Sequence, residues 1–162
     1  MSKLQRFQEA LDVAADALGA AVRLYGNLGR DTLNTRTHLA KITWDSGDTE
    51  KALVVLTEAL GQYRTVFGNA NSRTLVVMVI LAQWFVDVGK RREAQALLDE
   101  ALSGMRRMRH HKLGVTLSTL ASLQEKDGSF AEALATYEEL GAVRELNAHE
   151  TKRVGVIRAR LG

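Results

Sequence analysis

His38, Lys41 and Asp45 are the chain's nearest approach to a reactive cluster: an imidazole, an amine and a carboxylate at steps of three and four residues. On a helix that spacing puts all three on one face. Acid–base work would need one of them held against an activated partner or a cofactor motif, and the pattern supplies neither. The trio reads as ordinary helix-surface chemistry. His110-His111 would chelate poorly, because adjacent side chains on a helix diverge, and the chain has neither cysteine nor a His-x-x-x-His spacing. Gly26-Asn27-Leu28-Gly29 follows a helical stretch instead of a strand and lacks the lysine of a phosphate loop. The paired carboxylates Asp99-Glu100 and Glu138-Glu139 read as solvated helix faces. No nucleophile elbow or zincin motif is present. The expectation is a chain with no catalytic residue, no cofactor and no metal; enzymatic or small-molecule chemistry at His38, Lys41 and Asp45 is the weaker alternative. The densest charge run, Arg106-Arg107-Met108-Arg109-His110-His111-Lys112, could meet phosphates. It ends a helical stretch, though, where cations already interact favourably with the helix dipole, and no aromatics interleave it. Nucleic acid is therefore disfavoured.

The composition suits a folded scaffold. The 162 residues allow one domain with a sizeable core, and 46% apolar with 25% charged residues is ordinary for a globular chain. A net charge of +3 argues for no particular partner. There are no cysteines, which fits a cytoplasmic setting. Met1-Ser2-Lys3-Leu4-Gln5-Arg6-Phe7 turns polar too soon for a secretory signal. The longest apolar run, Leu75 to Ala82, is far short of a membrane span, so no membrane is expected. With no proline, the 13 glycines must do the punctuation.

The elements that would position these residues come from a repeat. Tyr25-Gly26-Asn27 with Asp31-Thr32-Leu33 returns about 42 residues on as Phe67-Gly68-Asn69 with Arg73-Thr74-Leu75. Between them, Leu39-Ala40, Gly47, Ala52 and Ala59-Leu60 return as Leu81-Ala82, Gly89, Ala94 and Ala101-Leu102. A third copy, about three residues shorter, has Leu120-Ala121, Gly128, Ala133 and Leu140. Apolar residues recur at helical steps in each half-unit. The spacing predicts an unpaired second-half helix over 3–26, units over 31–68, 72–110 and 112–144, and a C-terminal capping helix over 147–161. Asp31 or Thr32 is the expected cap of the first complete unit, and Asn147 with Glu150 fits a capping box.

These residues resemble the tetratricopeptide repeat, in the longer variant known from kinesin light chains. The resemblance covers roughly residues 5–141 and implies an all-α fold of about eight helices. That fold is an α-solenoid of stacked antiparallel helix pairs in a TPR-like right-handed superhelix. It also implies that a protein or peptide segment binds the concave face formed by the first helix of each unit. By register that face presents Asn34, Thr37, His38, Lys41 and Trp44, then Val76, Val79, Ile80 and Gln83, then Ser118 and Ser122. Trp44 is either an anchor for the partner or a core residue, whereas Trp84 is offset and expected to pack. The lysine, asparagine and arginine set that grips a terminal carboxylate in chaperone-binding members is not reproduced. The middle set is apolar, so a partner, a second copy or the C-terminal helix covers it, or its helix is buried on several sides. The expected role is a non-catalytic scaffold for protein partners. The alternative is a self-association module, a homodimer through the unpaired first helix, or the repeat part of a larger regulatory protein.

Overall fold

Helical periodicity in every segment, with no proline to interrupt it, leaves glycine to end most of the helices. The computed structural model describes residues 3–162, with side chains from Gln5 onward. Met1 and Ser2, read above as part of a polar N-terminus, lie outside the described residues. Those residues form eight helices and no strand: α1 Lys3–Tyr25, α2 Arg30–Asp45, α3 Thr49–Phe67, α4 Ser72–Asp87, α5 Arg91–Met108, α6 Leu113–Lys126, α7 Phe130–Val143 and α8 Ala148–Leu161. The turns inside the complete units are made by Gly47 (φ +99°) and Gly89 (φ +80°), backbone angles that a side chain disfavours. No helix is long and apolar enough to cross a membrane among the described residues.

The chain divides into two compact units, Met1–Val77 and Met78–Gly162. In the first, α2 packs on both α1 and α3. Ala40 and Ala52 are fully buried, and such small residues let helices approach closely. Leu33, Leu56, Leu60 and Tyr63 fill the remaining core, each burial contributing about 2 kcal/mol. The expected side-chain cap of α2 is corrected: its N-cap is Gly29, with no side-chain bond. Thr32 is fully buried and donates instead to the Ala21 carbonyl (3.1 Å) and the Gly26 carbonyl (2.7 Å), tying α2 to the end of α1. Thr74, its copy one period on, is also fully buried and donates to the Tyr63 carbonyl (3.4 Å). The repeated Thr-Leu is therefore a helix-end tie, because a buried hydroxyl must find a partner.

In the second unit α6 packs on α5 and α7, and α8 packs on α7. Leu98, Leu102, Leu117, Leu123, Leu140 and Ile157 form its core. The capping box at α8 is complete: the Asn147 side chain accepts from the Glu150 amide (2.9 Å), and Glu150 accepts from the Asn147 amide (3.0 Å). Along α4, Leu75, Val77, Met78, Val79, Leu81, Ala82 and Trp84 are all buried. Burial on several sides thus accounts for that helix's apolar run.

Candidate protein-binding face

The residues assigned to a binding face fall on α2, α4 and α6, and the structure sorts them unequally. In the first unit Asn34 is half-buried and accepts the Tyr63 hydroxyl (2.9 Å). His38 and Lys41 are exposed, while Trp44 and Val76 are half-buried. Thr37 is a correction: it is buried and donates back to the Leu33 carbonyl of its own helix (3.0 Å), so its hydroxyl is spent locally. In the second unit Ile80, Gln83 and Ser118 are half-buried and Ser122 is exposed. Val79 is the second correction, only 5% exposed, because a helix apolar on several sides turns Val79, like Val77 beside it, inward.

Of the rest, two hollows take in His38, Ser118 and Ser122, while Asn34, Lys41, Trp44, Val76, Ile80 and Gln83 line neither. In the first unit His38 joins Thr35 and Ile42 of α2 with Ala10, Val13 and Ala17 of α1 around about 640 Å³. In the second unit Val86 of α4, Val115, Ser118, Thr119 and Ser122 of α6, and Arg144, Asn147 and Glu150 surround about 400 Å³. Gln83 donates to Thr119 (3.4 Å) and links α4 to α6 beside it.

Glu150 organises the second hollow. It is 3% exposed, and its carboxylate accepts from both terminal nitrogens of Arg144 (2.9 and 2.7 Å) and from the Ser118 hydroxyl (2.8 Å). The Arg144 bonds outweigh burial, and with the Asn147 amide and Ser118 they hold its pKa down to about 2. Ser118 beside Glu150 has the outline of a nucleophile and its base. A carboxylate this acidic is too weak a base near neutral pH, so the pair is a structural tie. Below it, Glu125 accepts from Arg153 and from the Tyr137 hydroxyl (2.7 Å). Burial pushes the Glu125 carboxyl up, but the hydrogen bonds from Arg153 and Tyr137 bring it below its ordinary range. Burial and the Glu125 charge together push the Tyr137 phenol up.

Sequence reasoning missed Arg144, Asn147 and Glu150 as lining of this hollow. The capping-box spacing marked two of them, but nothing local marks Arg144, whose backbone is extended just after α7.

The basic run is partly neutralised within its own unit. Arg106 makes a bidentate pair with Glu139 (2.6 and 2.7 Å). His110 is buried, accepts the Lys112 amide at Nδ1 (3.1 Å) and stacks on His111 at 4.4 Å. Burial, then the charges of His111 and Lys112, lower its pKa and keep it neutral. No group of three or more His, Cys, Asp or Glu residues suited to a metal exists among the described residues.

No protein-family model matches the chain, and no curated protein matches it in sequence. Solved structures do match. A crystal structure of a kinesin light chain-like protein of Podosopora anserina, with nearly identical TPR-like repeats, superposes with a TM-score of 0.82 at 17% identity. The match covers 96% of this chain and 80% of that one. BtubC (BKLC) from P. vanneervenii superposes with a TM-score of 0.84 at 18% identity, covering 97% of this chain and 67% of that one. MamA gives 0.69 at 16% identity, covering 100% and 86%. The chain has the TPR-like helical-repeat fold.

Proposed function

We propose that the chain is a non-catalytic scaffold in a cytoplasmic setting, holding a peptide segment of a protein partner over α6 in the second unit. The observation that carries this is the hollow of Val86, Val115, Ser118, Thr119 and Ser122. Valines there offer apolar contact, and the Ser122 hydroxyl offers a hydrogen bond without a charge to desolvate. Glu150, locked by Arg144 and Ser118, keeps the wall rigid, and preorganisation lowers the cost of binding. The TPR-like fold supports the reading, since repeat folds of this kind commonly serve protein–protein interaction.

The test is a peptide-display selection on the immobilised protein, followed by anisotropy titrations of the enriched peptides. Val115→Glu and Ser122→Arg alter exposed positions, so helicity by circular dichroism should not change. Selected peptides are expected to bind at least about tenfold more weakly to each variant, roughly 1.4 kcal/mol. No enrichment, or equal affinity for wild type and both variants, contradicts the proposal.

A further inference from the structure

Helix α1 has the register of a second-half helix. Its Ala10, Ala14 and Ala17 stand one period before Ala52, Leu56 and Ala59 of α3. In the complete units the small positions of that face are fully buried, as Ala52, Ala59, Ala94 and Ala101 all show. In α1 Ala14 is buried too, but Ala17 is exposed, Ala10 is half-buried and the neighbouring Val13 is 69% exposed. Helix α2 tells the same story across the first-unit hollow. Its Thr35 and Ile42 are half-buried, whereas their copies Val77 and Trp84 are buried to 3% and 7% exposure. A second-half helix packs on the first-half helix before it, as α3 does on α2 and α7 on α6.

Helix α8 has the register of a first-half helix. It follows α7 as α6 follows α5, and its Val154-Gly155 repeats the apolar–small pair Leu120-Ala121. Val154 and Ile157 are buried. The small position is fully buried at Ala40, Ala82 and Ala121, yet Gly155 is exposed and a Cβ there would meet nothing within 4 Å. Charge agrees with the register. Exposed Glu9, Asp12 and Asp16 flank the open stripe of α1, with Arg6 as the cation at its start and His38 across the hollow. Exposed Lys152 flanks the open face of α8, whose one acid, Glu150, is buried under Arg144; exposed Arg158 and Arg160 add positive charge at its α7 side, beside Glu138 (3.4 Å) and over the Phe130 ring (4.8 Å).

We propose that α8 of one copy seats on the acidic, alanine-lined face of α1 of a second copy, completing a helix pair between molecules. The contact is head-to-tail, so each copy in a chain uses both ends. It uses surfaces apart from the α6 hollow and stands independently of the peptide-binding reading.

Sedimentation velocity over a concentration series tests it, with two blocking variants, Ala17→Arg and Gly155→Arg. Wild type is expected to rise above its 17.8 kDa monomer mass, more so at low salt. Each variant alone should stay monomeric. Mixed, they should form a complex of about twice that mass, because the intact α8 of one still meets the intact α1 of the other. A wild type that stays monomeric up to roughly millimolar concentration overturns the proposal. So does a Gly155→Arg chain that associates like wild type, as a symmetric α1–α1 contact would allow, or a mixture that stays monomeric. Circular dichroism shows whether each variant is folded. If one is not, Asp12→Lys with Asp16→Lys, and Lys152→Glu with Arg158→Glu, replace the pair and are read in the same way.

Discussion

A carboxylate buried to 3% exposure stays ionised only where enough donors surround it, and Glu150 has four. Glu150→Gln keeps the shape but removes the charge that Arg144 pairs with and weakens the cap. The expected cost is about 2 kcal/mol in urea unfolding at pH 7. The pH dependence has a definite sign. The folded pKa is about 2, below the ordinary glutamate value near 4.3. The stabilisation is therefore complete above about pH 5 and is lost as pH falls toward 2. The stability gap between wild type and Glu150→Gln should shrink over that window; a gap that stays constant from pH 7 to pH 2.5 contradicts the assignment. At this scale the sequence was only partly legible. Asn147 and Glu150 declared their cap by spacing, but Arg144 reaches Glu150 from an extended residue, where no periodicity predicts side-chain direction. Thr37 and Val79 were misplaced because register gives a face, and burial depends on which neighbours cover it.

At the scale of the helix, the repeat positions carry the architecture and the turn glycines set its limits. Gly47→Ala should cost about 1 kcal/mol, since φ is +99° and the penalty is conformational, with open space around the new Cβ. Gly61→Ala lies within α3, exposed and also in open space, and should gain about 0.5–1 kcal/mol through helix propensity. Thermal melts that move in opposite directions check both. Helix positions were legible because a long period combined with helical apolar spacing leaves few alternatives. The start of α2 was not, because cap preference is local while Thr32 spends its hydroxyl on Ala21, far back in the chain. The same lesson explains α4: its apolar run was visible, but only the surrounding helices decide how much of it is covered.

At the scale of the whole molecule, 17–18% identity accompanies TM-scores of 0.82–0.84. A few small and apolar positions per repeat are enough to hold such a fold, and they leave the exposed faces free to differ. That is why the fold was readable from Leu39-Ala40, Gly47 and Ala59-Leu60 while the partner was not. The two proposed surfaces are separable. Ser122→Arg should leave the sedimentation behaviour unchanged, and Ala17→Arg should leave peptide affinity within about twofold. The most direct measurement of the central claim is hydrogen exchange of the chain with and without a selected peptide. Slowed exchange confined to α6 and the segment 144–150 is the predicted result. Protection that falls instead on α5, or nowhere, would contradict it.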